Sequence, residues 1–369
     1  MENLVMTPDF WHSKRVLITG HTGFKGGWLA LWLAKCGAKV VGYSLDPPSH
    51  PNLYESARVA DILTSVKGDL NDLDLLSKTI ERYSPEIVFH LAAQSLVRQS
   101  YYDPLATYKS NVMGTVHLFE AIRRSNSVRV VINVTSDKCY ENVGYDRVYN
   151  ENDPMGGHDP YSSSKGCSEL IASAYYNSFF INNHDNRPNP TVLASVRAGN
   201  VIGGGDWAKD RLIPDIIRSF VNNRAVEIRN PNATRPWQFV LEPLGGYLLL
   251  AQKLWLNGSE YSGGWNFGPD EQDGLKVIEI LESIAKLWGS GATWNIQPGD
   301  HPHEAQYLRL DCSKARSKIG WKTRWDIHDG LAATVDWYRS FADNSDTHEL
   351  CLRQIEQFMS SSFYKATKR

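Results

Sequence analysis

A phenol and an ammonium stand four residues apart in Tyr161-Ser162-Ser163-Ser164-Lys165. On a helix that spacing puts both groups on one face. A free phenol titrates near 10, and a neighbouring cation lowers it, so that Tyr161 can act as a base near neutrality with Lys165 beside it. Ser136 ends an earlier apolar run and offers a hydroxyl to the same oxygen, and Asp137-Lys138 follows it directly. An adjacent acid and amine are usually a solvated charge pair. Behind an active-site serine they suit proton donation and proton removal, provided the amine is neutral and the acid protonated.

A second constellation is Gly20-His21-Thr22-Gly23-Phe24-Lys25-Gly26, between a short apolar run and a helical pattern. Glycines let a backbone turn tightly and approach a pyrophosphate, which the following helix N-terminus stabilises. The spacing is G-x-x-G-x-x-G, and a structural turn also favours glycine, but the strand–turn–helix setting favours a dinucleotide. The ribose is expected at the end of the next strand, where Ser44 stands, with Asp46 two residues on. No arginine follows to greet a 2′-phosphate, which favours NAD. Asp69 and Leu70 follow Gly68; Asp69 is a candidate for the adenine amine or a turn cap.

Elements alternate as a parallel α/β sheet requires. Arg15–Thr19, 39–45, 65–67, 86–91, 129–134 and 191–197 read as strands, and 25–36, 72–83, 108–124 and 161–179 as helices. Past residue 200, Gly203-Gly204-Gly205 and frequent prolines break the rhythm. The expectation is a doubly wound parallel sheet, roughly seven strands, with a smaller mixed α/β substrate domain. We place the nucleotide domain at 1–195 and the substrate domain at 196–369, partly interleaved.

Composition narrows the classes. The chain has 369 residues, 39 Lys+Arg against 41 Asp+Glu, and net charge −2, so neither nucleic acid nor an acidic membrane is an expected partner. The N-terminal residues lack the apolar core of a signal peptide, and five scattered cysteines without a C-x-x-C pair suit a reducing cytoplasm. His301-Pro302-His303-Glu304 has some look of a metal site, yet no further cluster supports one, and no metal is expected.

Together, the glycine turn, Leu91-Ala92-Ala93-Gln94, Asn111, Ser136, Tyr161 and Lys165 resemble the extended short-chain dehydrogenase/reductase superfamily. Asp137-Lys138, Gly20–Gly27, the run 196–207, Thr234-Arg235-Pro236-Trp237-Gln238 and His301–Ala305 sharpen this to its sugar-nucleotide 4,6-dehydratases, in the branch acting on CDP-glucose. That resemblance implies NAD as cofactor, with Ala92, Ala93, Gln94 and Asn111 lining or bracing it. It implies internal redox: oxidation at carbon 4 acidifies the proton on carbon 5, water leaves across carbons 5 and 6, and hydride returns. The step would be an early one in 3,6-dideoxyhexose (O-antigen) synthesis. Arg197, Asn200, Arg211 and Arg235 are candidates for the diphosphate, Trp237 is either core or a wall for base or sugar, and His303 is a further candidate substrate contact. A homodimer through a helix bundle is implied as well; the apolar positions Val112, Val116, Leu118, Phe119 and Ile122 permit it, and permit ordinary core packing too. Two other readings stay open: a nucleotide-sugar 4-epimerase, disfavoured by Asp137-Lys138, and a non-catalytic NAD-binding sensor, which would need no base.

Overall fold

The computed structural model describes residues 7–142, 147–181, 190–228, 230–269, 274–296 and 308–361. Seven strands form one parallel sheet: β1 (Arg15–Thr19), β2 (Lys39–Ser44), β3 (Thr64–Lys67), β4 (Ile87–His90), β5 (Val130–Val134), β6 (Val192–Ala198) and β7 (Gly263–Phe267). Their order is β7-β6-β5-β4-β1-β2-β3. The central strands read as unbroken apolar runs because helices cover both faces; all residues of β4, β5 and β6 are buried. The chain winds one way through β1–β3 and the other way from β4, so the crevice at the carboxyl ends of β1 and β4 is the ligand-binding position of such a sheet.

Helix α1 (Phe24–Lys35) follows β1 and is buried from Gly26 to Leu33, wedged between the sheet and the helices α6 (Ile327–Ala342) and α7 (Thr347–Ser360). Helices α2 (Leu73–Tyr83), α3 (Gly114–Arg123) and α4 (Pro160–Tyr175) cover the other face. The helix expected over 108–124 is real but interrupted by a π turn, Lys109–Met113, and 176–180 ends the next one the same way.

The second half returns to the first. Helix α5 (Leu241–Asn257) packs against β5 and β6, and β7 extends the main sheet along β6. The 195/196 division therefore falls inside β6. A small sheet lies beyond, with Thr234–Phe239 between Asn200–Ile202 and Gly274–Lys276. Among the described residues no helix is long and apolar enough to cross a membrane, and no group of three metal-ligating side chains occurs. His301, His303 and Glu304 lie outside the described residues.

The triglycine loop is where the two halves are pinned. The Gly204 carbonyl accepts from Trp28 Nε1 of α1 at 2.9 Å, and a Cβ on Gly204 would stand 2.0 Å from Trp337 Cγ of α6. Trp28 and Trp337 are both fully buried and cannot swing away. Overpacking of this kind costs about 1–3 kcal/mol. Gly204→Ala should lose that much stability in denaturant unfolding; an unchanged midpoint would show that the loop gives freely.

Candidate active site

The glycine turn is shaped by close approach. Gly20 has φ +82°, and a Cβ there would meet Ala92 N at 2.7 Å, across the crevice between β1 and β4. A Cβ on Gly26 would stand 2.1 Å from the Gly20 carbonyl oxygen. Gly23 is the N-cap of α1 and has no side chain to cap the first turn, so that turn faces the crevice as an anion site. Thr22 Oγ1 lies 2.8 Å from Ser44 Oγ and donates to the Leu45 carbonyl, joining the turn to the end of β2. The Phe24 ring lies against Gly203, where a Cβ would stand 3.1 Å from it.

His21, buried in this turn, was not singled out from the sequence. Its ring occupies the space a Cβ on Gly42 would need, and its Nε2 pairs with Ser65 Oγ at 2.8 Å. Burial pushes it down to about 4, so it is neutral. Beyond Ser44, Asp46 pairs with Lys67 of β3 at 2.5 Å. A basic residue therefore does reach this end of β2, but Asp46 matches its charge. Asp69 is an exposed turn cap whose Oδ1 accepts from Asn71 N at 2.9 Å. Leu70 is buried and packs on Gly114.

The loop after β4 is braced from α4. Asn111, inside the π turn, accepts from Gln94 N at 2.7 Å and donates to Gln94 O and Ser164 Oγ, both at 2.9 Å. Local widening at a π turn is a common device for aiming one side chain. Ala92 N donates to Thr19 Oγ1 at 3.2 Å. Thr19 in turn pairs with His90, held neutral by burial at about 3.

Tyr161, Lys165, Ser136 and Asp137 are all buried and meet at the carboxyl end of β5. The Ser136 hydroxyl donates to Asp137 Oδ1 at 2.9 Å and accepts from Lys138 N at 3.2 Å, capping the short helical turn Asp137–Cys139. Burial pushes the Tyr161 phenol up to about 12, and the Ser136 hydroxyl pulls it back by hydrogen bonding. The Lys165 ammonium donates to the Val134 carbonyl at 3.2 Å, and burial pushes it down to about 8. The Ser136 hydroxyl and the charge of Arg211 both favour the phenolate here. Burial raises the Asp137 carboxyl above its ordinary value, against the pull of Lys138, Ser136 and Lys25. Lys25, itself lowered to about 8 by burial, feels Arg211, Asp137 and Lys165.

Substrate candidates separate into two groups. Asp137 Oδ2 faces Gly199, where a Cβ would lie 3.0 Å from it and 3.5 Å from Pro236 Cγ. The acid therefore abuts the segment of Asn200 and the strand of Arg235, both half-buried. Arg211 pairs with Asp206 at 2.8 Å, donates to Ser95 Oγ at 3.2 Å, and interacts electrostatically with Tyr161 and Lys25. Trp237 faces away. It is core, with Nε1 on the Leu275 carbonyl at 3.1 Å. Arg197 is buried too, its guanidinium locked onto Glu169, so the expected diphosphate contact at that position is replaced by an internal ion pair.

Comparison with known proteins places this site in a family context. Residues 17–334 match the family model of GDP-mannose 4,6 dehydratase. CDP-glucose 4,6-dehydratase of Salmonella typhimurium is 52% identical over 354 residues, covering 96% of this chain and 98% of the relative. Among solved structures, MoeE5 in complex with UDP-glucose and NAD is 26% identical with TM-score 0.74, covering 89% of this chain and 99% of that one. The epimerase Mth375 from Methanothermobacter thermautotrophicus shares the fold at TM-score 0.77 and 22% identity, over 94% of this chain and 96% of its own.

A buried ammonium has a thermodynamic signature. Lys165 titrates near 8 when folded against its ordinary 10.5, so between those values the unfolded chain holds more protons. Stability then rises with pH across that window, and the penalty is full below it. Lys165→Met should be more stable than wild type near pH 7 by up to about 3 kcal/mol, with the advantage fading as pH approaches 10. Denaturant unfolding at both pH values measures it; a variant less stable at pH 7 would contradict the burial penalty.

Proposed function

The chain belongs to the GDP-mannose 4,6-dehydratase family, and from that premise we propose that it converts CDP-glucose to CDP-4-dehydro-6-deoxyglucose with NAD as resident cofactor. One observation carries the reading. Asp137 and Lys138 share a turn with Ser136, beside Tyr161, and the acid abuts the segment of Asn200 and Arg235. An epimerase needs only the Tyr161 set. A sensor needs neither. The CDP group follows the Salmonella relative.

The crevice fits a dinucleotide on its own features: an uncapped helix N-terminus, and glycines whose Cβ atoms would collide with backbone. Gly20, Thr22, Gly23 and Gly26 would hold the phosphates, Ser44 the ribose, and Ala92, Ala93, Gln94 and Asn111 the far wall. NAD held there supplies a hydride acceptor for carbon 4 and a donor for carbon 6, and is unchanged after each turnover.

The residues divide the proton work. Tyr161 takes the proton of the carbon-4 hydroxyl, with Ser136 bonded to the same oxygen and Lys165 below. The resulting ketone makes the proton on carbon 5 acidic. Lys138 removes that proton, a role that calls for its free amine, and Asp137, whose protonated form burial favours, gives its own to the departing hydroxyl of carbon 6. Water leaves, and Lys138 returns a proton to carbon 5. Arg211 and Arg235 suit the diphosphate, since a planar guanidinium binds paired oxygens well.

The homodimer reading moves to different residues. Leu118, Phe119 and Ile122 are core, whereas Tyr102, Leu105 and Leu170 are 85%, 82% and 62% exposed on the neighbouring helical surface. An apolar patch of this kind suits a second copy of the chain. Light scattering should give twice 41.6 kDa for wild type and a monomer for the double variant Leu105→Glu, Leu170→Glu. A monomeric wild type would overturn the assignment.

The chemistry is tested with deuterium on carbon 4 of CDP-glucose, which should appear on carbon 6 of the product. Lys138→Ala leaves Tyr161, Ser136 and Lys165 in place, so carbon 4 is still oxidised while elimination slows by about 10²–10⁴-fold. Reduced-cofactor absorbance then builds on the variant. Tyr161→Phe blocks the earlier step and shows no such absorbance. Label lost to solvent, or normal turnover by Lys138→Ala, would overturn the mechanism.

A further inference from the structure

Behind the site lies a buried ion pair that the reaction itself does not use. Glu169 follows Lys165 by four residues and Tyr161 by eight, on the buried face of α4. Its Oε1 accepts from Arg197 Nε at 2.8 Å and its Oε2 from Nη2 at 2.9 Å, the bidentate arrangement that a planar guanidinium makes with a carboxylate. Each member then reaches one end of the catalytic turn. Thr135 Oγ1, directly before Ser136, donates to Glu169 Oε1 at 2.5 Å. Tyr140, directly after Cys139, accepts at its hydroxyl from Arg197 Nη1 at 2.6 Å and donates to Asn266 Oδ1 at 2.8 Å. The Arg197 guanidinium also lies over the Tyr140 ring, 4.9 Å from its centroid. Room for it is made by Gly264, where a Cβ would stand 2.4 Å from Nη2.

We propose that Glu169 and Arg197 form a positioning clamp, which holds both ends of the turn carrying Ser136, Asp137 and Lys138 in register with Tyr161 and Lys165. Stability alone is a poor explanation for the pair. Taking two charges out of water offsets much of their attraction, and well-packed apolar residues often serve as well. Alignment is a better one. The reaction needs one set of groups at carbon 4 and another at carbons 5 and 6 of the same sugar. The first set sits mostly on α4 and the second wholly on the turn after β5. Within the turn, Ser136 bonds Tyr161 and the Cys139 thiol reaches Glu169 Oε1 at 3.9 Å, a weak contact with the same carboxylate; Thr135–Glu169 and Tyr140–Arg197 hold its two ends. Misplacing a reacting group by about 1 Å can cost about 10²-fold. The clamp therefore acts chiefly on elimination, because Asp137 and Lys138 depend on it for their placement whereas Tyr161 and Lys165 ride on α4 itself.

This inference rests on the dehydration reading, and the experiment separates the two. Full-length wild type, Arg197→Lys, Glu169→Gln and the double variant Glu169→Met, Arg197→Met are loaded with NAD and mixed with CDP-glucose in single turnover. Growth of reduced-cofactor absorbance reports oxidation at carbon 4, and its decay reports completion of elimination. Measured well below pH 8, where Lys165 stays charged, the double variant should slow decay by about 10²-fold while growth changes far less. Its thermal midpoint should stay close to wild type, because the apolar pair replaces the ionic one. Equal slowing of both phases, or full elimination by the double variant, would overturn the clamp. Should the double variant fail to fold, the single variants decide the same point on the same two phases.

A second readout is the pH profile. Glu169 is one of the two groups that hold Lys165 up against burial. Glu169→Gln should move the alkaline limb of carbon-4 oxidation to lower pH, and Arg197→Lys should leave it in place. A role confined to packing moves neither limb. Wild type that forms no 4-keto product from CDP-glucose would instead overturn the substrate reading, and the clamp's assignment to elimination with it.

Discussion

Helix α4 buries a polar face. Tyr161, Ser162, Ser164, Lys165, Ser168 and Glu169 all turn inward, where a helix on a parallel sheet would ordinarily present aliphatic side chains. Each polar group taken from water without a partner costs free energy comparable to a lost hydrogen bond, so the surroundings must be built to answer the helix. They are. Asn111 answers Ser164, Asn133 answers Ser168 at 3.2 Å, the Val134 carbonyl answers Lys165, and Thr135 with Arg197 answers Glu169. The polar residues inside β5 and β6, and the π turn before α3, follow from this single requirement.

The same requirement sets the electrostatics of the site. Burial raises the Tyr161 phenol and the Asp137 carboxyl and lowers the Lys165 and Lys25 ammonium groups, so every one is moved toward its neutral form. For Asp137, Lys165 and Lys25 the shift is toward neutral pH, where a group exchanges protons with a substrate at modest cost. Tyr161 is shifted away from it and depends on the pull of Ser136 and Arg211. Water exclusion, which makes the chemistry possible, also makes the site a local weak point in stability.

The second half of the chain does two things at once. Its segment at Gly199 and its strand Thr234–Phe239 form a wall beside Asp137, while α5 and β7 complete the main sheet. A wall that shares its core with the nucleotide-binding sheet has little freedom to drift relative to it. Trp28, Trp337 and the Gly204 carbonyl form the joint, where an indole N–H and a missing Cβ are both needed.

Much of this was legible in the residues. Continuous apolar runs separated by helical periods are what a parallel sheet covered on both faces demands, so the first six strands could be placed within a residue or two. The glycine turn and the Tyr161–Lys165 spacing carry their chemistry locally, as does Ser136-Asp137-Lys138. What the sequence could not decide was the fate of side chains whose role depends on a partner far along the chain. Arg197 reads as a diphosphate contact until Glu169, 28 residues earlier, is found beside it. Trp237 reads as either core or a wall for the ligand until its indole meets the Leu275 carbonyl, 38 residues on, and the core reading holds. Local spacing determines which groups share a turn or a helical face; only the folded chain decides which charges face one another, because a charge in a buried place takes its meaning from the nearest opposite charge rather than from its neighbours in sequence.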